Sequence, residues 1–212
     1  LGRASGLDPS QEGDLHLALW RKVGVAAGLS GVFVSFSKGV IPVLIGFGFH
    51  LPVIVVGLSG VTAVTGEMWP VFHNFDGEKG NTAGFATIVT LALAYRAYPI
   101  LLFLIPMIIG AAMRFFFTMF SSKESFGERI RFPESTNPIV LGLPVGMIIG
   151  FATAPLASWC SGQPAEIMLC LAALFAIILV RRLTTGLRAD LKMPHSITRV
   201  LINRFLFDRS YL

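Results

Sequence analysis

From Val23 to Val180 this chain is a succession of apolar segments, parted only by short polar stretches and turns. That pattern constrains the fold more than any motif. A bilayer core offers no hydrogen-bond partners, and about 20 apolar residues wound as a helix cross it with every backbone group satisfied internally. Six segments fit this reading, at 23–47, 51–64, 82–94, 100–120, 138–159 and 165–180, the second and third being short for a full crossing. Composition agrees: 14% of residues are charged and 54% hydrophobic, whereas soluble domains carry about 25% charged residues. The sequence predicts an all-α, polytopic integral membrane protein. It starts at Leu1 and shows no secretory signal pattern there, and we expect a further span to be missing at the N-terminus.

Lysine and arginine set the expected topology. Arg3, Arg21 and Lys22 precede the first span. Lys79 lies in the loop after the second, Lys123, Arg129 and Arg131 in the loop after the fourth, and Arg181, Arg182, Arg188, Lys192, Arg199, Arg204 and Arg209 follow the last. The opposite turns, near His50, Tyr98 and Cys160, carry only Arg96. The positive-inside rule puts loops at about 1–22, 66–81 and 121–136 in the cytoplasm. The same rule divides the chain into a membrane domain at 1–180 and a basic, amphipathic cytoplasmic tail at 181–212. In that tail Ile197, Val200, Leu201 and Phe205 alternate with Arg199, Asn203 and Arg204, a spacing suited to an interfacial helix or a docking surface.

Within the spans, Arg114 lies near a cytoplasmic end, where snorkelling explains it, and Lys38 lies deeper, where it should face protein or a polar cavity. Small residues around 110–113 and 142–150 suit close helix packing. Cys160 and Cys170 give no disulfide, zinc or redox pattern.

The polar interruption at 66–80 concentrates the chemistry. Gly77-Glu78-Lys79-Gly80 after Pro70-Val71-Phe72 lets the backbone approach a ligand, offers one cation, and precedes a segment whose helix N-terminus favours an anion. Glu67, His73, Asp76 and Glu78 have metal-ligating chemistry but irregular spacing with Lys79 among them, which reads better as a solvated loop. His16 and His195 read as surface groups. No metal site or cofactor is expected, and no nucleic-acid patch is visible.

Gly66, Pro70, Phe72, Phe75, Gly77, Lys79 and Gly80 stand in register with Gly-His-x-x-Pro-x-Phe-x-x-Phe-x-Gly-Gly-Lys-Gly. This resembles the signature of the bacterial acyl-phosphate:glycerol-3-phosphate acyltransferases, the PlsY family. Upstream, Gly6-Leu7-Asp8, Arg21, and Lys38-Gly39 with Ile41-Pro42-Val43 resemble further family motifs, and downstream Ile202, Arg204 and Leu206 resemble its C-terminal one. The resemblance implies a seven-span fold in the bacterial inner membrane with a cytoplasmic active site. It further implies glycerol 3-phosphate and acyl phosphate as substrates, membrane lipids as surroundings, and Lys79, Arg21, Gly77, Gly80 and Lys38 as the phosphate-binding set.

The departures are equally specific. Ser10-Gln11-Glu12-Gly13-Asp14-Leu15-His16 stands where the family has its Gly-Ser-Gly-Asn loop. Glu67 replaces the family His, Glu78 its second glycine, and Ser35 its Asp. Leu143-Pro144 fall on a serine pair unless Ser135-Thr136 substitute, and Thr198 and Leu201 fall on the C-terminal His and Asn. Carboxylates in a phosphate site repel substrate. From these changes we expect a non-catalytic structural or accessory subunit of a larger membrane complex, partnered by other membrane protein subunits. The alternative is an active acyltransferase making lysophosphatidic acid for phospholipid synthesis. A transporter reading is weaker, since the spans lack acids and broken repeats.

Overall fold

A computed structural model describes residues 24–73, 75, 77–121, 142–185, 187 and 197–207. Among these the chain is all-helical: α1 (Val25–Gly48), α2 (Val53–Met68), a 3-10 turn (Val71–His73), α3 (Asn81–Ala94) and a 3-10 stretch (Tyr98–Phe103) leading into α4 (Leu104–Ser121). There follow α5 (Gly142–Cys160), α6 (Ala165–Thr184) and α7 (Ile197–Phe207). Over its described residues each expected span coincides with helix, the fourth opening with the 3-10 stretch. The second runs on from Val64 to Met68 and the last from Val180 to Thr184.

Three turns at one end of the bundle share a cap. Leu51 N–H donates to the Gly46 carbonyl at 3.1 Å, Ala97 N–H to Ala92 at 2.8 Å and Gln163 N–H to Ser158 at 3.1 Å. Each is the six-to-one bond of a Schellman ending, which needs a left-handed residue just past the helix. Gly162 supplies it at φ 65°, but His50 and Arg96 supply it at φ 54° without being glycine. Pro52 and Pro164 then open α2 and α6, where a missing N–H costs nothing. Exposed Phe49, Tyr98 and Trp159 ring this end, as aromatic residues do at a membrane interface.

Close helix approach holds the bundle together. A Cβ on Gly39 of α1 would strike the Ala83 carbonyl of α3, and one on Gly146 of α5 would lie 2.5 Å from the Pro106 carbonyl of α4. Small residues at these crossings let backbones meet, which is how helices associate where lipid is as apolar as leucine. The core between α2, α3, α5 and α6 is filled by Val56, Val64, Met68, Ile88, Leu91, Phe103, Phe151, Leu171 and Leu174. Large apolar side chains such as Phe33, Leu44, Ile108 and Leu169 face outward. Apolar surface on both the inside and the outside is the mark of a membrane bundle. α1, α5 and α6 are long and apolar enough to cross a bilayer, while α2 with 16 residues and α3 with 14 are shorter.

Candidate functional site

The end of the bundle opposite the aromatic turns carries the polar groups. Glu67 lies in the last turn of α2, not in a solvated loop. Because that helix continues past Gly66, its carboxylate turns inward and meets Lys38 of α1, with Nζ to Oε1 at 3.1 Å. The Glu67 side chain is 2% exposed and that of Lys38 46%. The second carboxylate oxygen, Oε2, is buried with no hydrogen-bond partner among the described residues. One turn earlier on α1, the Ser35 hydroxyl donates to Glu78 Oε2 at 3.3 Å. Lys38 thus faces protein, as its depth predicted, and Glu67 and Glu78 are both engaged by α1.

The loop itself is tightly folded. Gly77 N–H donates to the Met68 carbonyl at 3.2 Å and Phe75 N–H to the Pro70 carbonyl at 3.1 Å. A side chain at Gly77 would collide with the Glu67 carbonyl and lie 2.5 Å from Pro70 Cδ, so only glycine lets the chain return this closely. Gly80, left-handed at φ 71°, then starts α3. Lys79 sits between these two glycines, half-buried at the head of α3.

Two arginines assigned to the tail by sequence belong instead to the last turn of α6 and are buried. Arg181 Nη2 donates to the Gly77 carbonyl at 2.6 Å, and its guanidinium carbon lies 5.7 Å from the centre of the Trp69 ring. A charge-assisted bond and a cation–π contact therefore fix both ends of the loop to α6. Arg182 Nε donates to the Arg204 carbonyl at 3.2 Å and its Nη1 to the Pro144 carbonyl at 3.1 Å, while Arg204 Nη1 donates to the Thr185 carbonyl. These bonds tie α7, with Val200 and Arg204 buried, against α5 and α6. The tail helix packs on the bundle through that face and leaves Ile197, Ile202 and Phe205 outward.

Over residues 6–189 the sequence matches the family model described as glycerol-3-phosphate acyltransferase. The chain belongs to the glycerol-3-phosphate acyltransferase family. The glycerol-3-phosphate acyltransferase of Glaesserella parasuis is 32% identical over 93 residues, which cover 42% of this chain and 46% of that protein. That of Yersinia pestis is 32% identical over 68 residues, covering 32% of each. The matched stretch spans less than half the length of these relatives. The fold is similar to the crystal structure of PlsY (YgiH), an integral membrane glycerol 3-phosphate acyltransferase in its lysophosphatidic acid form. The TM-score is 0.58 at 20% identity, covering 96% of this chain and 83% of the other. The protein is accordingly an all-α integral membrane protein with the acyltransferase fold.

Of the sequence-derived set, Lys38 meets Glu67 at the base of the loop that carries Gly77, Lys79 and Gly80. Arg21, Glu12, Asp14, Ser135, Thr136 and His195, with Asp76 and the side chains of His73 and Arg114, lie outside the described residues. The family match ends at residue 189, so the C-terminal resemblance carried by Ile202, Arg204 and Leu206 falls beyond it. Sequence reasoning missed Arg181. The available signal was paired arginines directly continuing an apolar helix, where cations complement the helix C-terminus and remain helical.

Proposed function

We propose that this chain transfers an acyl group from acyl phosphate to a hydroxyl of glycerol 3-phosphate, yielding lysophosphatidic acid and inorganic phosphate. The observation that carries this reading is the charge balance around the glycine loop. Among the described residues Lys38, Lys79 and Arg181 lie at this loop against Glu67 and Glu78, and both of these acids are engaged by α1. Among the described residues these three cations exceed the two acids, which suits phosphate-bearing substrates, and Glu67 is already paired with Lys38.

In the transfer, the glycerol hydroxyl oxygen forms a bond to the acyl carbon as the bond from that carbon to the phosphate oxygen breaks. The hydroxyl proton leaves with the phosphate. The Gly77–Gly80 backbone gives close approach and Lys79 offsets the charge gathering on the departing phosphate, with Arg21 as a further member of the phosphate set. Arg181 touches no substrate in this scheme and positions the loop. Orienting two anions beside each other removes much of the entropic barrier to their reaction. The distribution of basic residues supports a cytoplasmic site and C-terminus in a bacterial inner membrane.

A second reading has its own observation. Glu67 occupies Lys38, so that cation is spent inside the protein. This favours a non-catalytic, accessory subunit working beside other membrane proteins. The two readings part on one experiment: the full chain, purified and supplied with acyl phosphate and glycerol 3-phosphate, yields lysophosphatidic acid under the first and none under the second.

A further inference from the structure

The tip of the 66–80 loop presents apolar surface that the acyl-transfer reading does not use. Val71 is 69% exposed, Phe72 95% and Phe75 58%. Such a tip on a mobile strand would fold back onto the bundle. Here its base is fixed: Phe75 is held left-handed at φ 61° with its N–H on the Pro70 carbonyl, and Gly77 is bound to both Met68 and Arg181. The aromatic side chains are therefore held outward by the backbone.

Depth decides what they meet. α2 has 16 residues and α3 14, so they rise about 24 Å and about 21 Å from the aromatic turns, less than the roughly 30 Å hydrocarbon core. α6, with 20 residues, rises about 30 Å from the same end. The loop joining the two short helices consequently sits at or inside the hydrocarbon boundary, not above it. Polar backbone is tolerated there only where protein covers it, and the bonds to Met68, Pro70 and Arg181 provide that cover. Among the described residues of the tip, Val71, Phe72 and Phe75 are the large apolar side chains left exposed.

We propose that Val71, Phe72 and Phe75 form a lipid-embedded wedge that contacts acyl chains at the head-group boundary and seats the polar loop beside the bilayer. The placement follows from helix length and exposure, independently of whether the protein is catalytic. It is tested with the full chain carrying Phe72→Cys in a Cys160→Ser background, leaving the buried Cys170 in place. A nitroxide label is attached and the protein reconstituted in vesicles of phosphatidylethanolamine and phosphatidylglycerol. Phe33→Cys on the outward face of α1 serves as the bilayer reference, and Phe75→Cys is the second probe should Phe72→Cys fold poorly. The wedge predicts severalfold greater collision with dissolved oxygen than with a water-soluble nickel chelate, as at position 33. Greater collision with nickel places the tip in water and overturns the proposal. Low collision with both reagents means protein covers it, and overturns the proposal equally.

Discussion

Arg181 and Gly77, 104 residues apart, are joined by a 2.6 Å bond from guanidinium to carbonyl, and Trp69 lies against the same guanidinium. This contact makes the end of α6 part of the loop. Hydrogen bonds from a charged group contribute about 1.5–3 kcal/mol. Arg181→Ala should therefore raise hydrogen exchange at the Gly77 amide by roughly tenfold or more, since each 1.36 kcal/mol is tenfold. Exchange in the α5 interior should be unchanged. Equal protection of Gly77 in the variant would remove Arg181 from its positioning role.

The Lys38–Glu67 pair is asymmetric in burial, and its variants should be asymmetric in consequence. Lys38→Met leaves a buried carboxylate without its cation and should cost about 1–3 kcal/mol, seen as a lower thermal midpoint in detergent. Glu67→Gln leaves a half-exposed ammonium that water can serve, and should cost less than about 1 kcal/mol. Equal losses in the two variants would mean that burial of Glu67 does not govern the pair.

Gly39 and Gly66 offer a contrast within one residue type. Gly39→Ala drives a methyl into the Ala83 carbonyl and should force α1 from α3, at a cost of about 1–3 kcal/mol. At Gly66, in α2, a Cβ meets nothing within 4 Å, so Gly66→Ala should stabilise by about 0.5–1 kcal/mol through helix propensity. Thermal midpoints of the two variants should move in opposite directions.

Ser158 is fully buried in α5 and its hydroxyl has no hydrogen-bond partner among the described residues. Burying an unpaired hydroxyl costs about 1–3 kcal/mol. Ser158→Ala should leave the thermal midpoint unchanged or raise it, and a fall of several degrees would show that the hydroxyl is satisfied in the membrane.

Much of this architecture is written locally. Apolar run lengths and the prolines at 52 and 164 mark where α1, α2, α5 and α6 begin and end to within a few residues. The glycine spacing of the 66–80 loop points to its family. What escaped local reading depends on distance along the chain. Gly66 and Glu67 break an apolar run and read as loop, yet α2 continues through them and Lys38, 29 residues away, donates to the carboxylate. Arg181 and Arg182 read as tail because cations past an apolar run usually lie in water. Their partners Gly77, Pro144 and Arg204 come from other parts of the sequence. Glu67 and Glu78 are likewise engaged by Lys38 and Ser35, partners far from them in sequence, while Glu12 and Asp14, the acids expected to repel substrate, lie outside the described residues.

Acyl transfer itself is the most direct test. The purified full chain, reconstituted in vesicles, is given palmitoyl phosphate and radiolabelled glycerol 3-phosphate beside its Lys79→Ala variant. The account predicts lysophosphatidic acid formed in step with inorganic phosphate, with the rate falling by roughly tenfold to a hundredfold in the variant as stabilisation of the leaving phosphate is lost. Absence of lysophosphatidic acid from the folded wild-type protein, or an undiminished rate in Lys79→Ala, would contradict it.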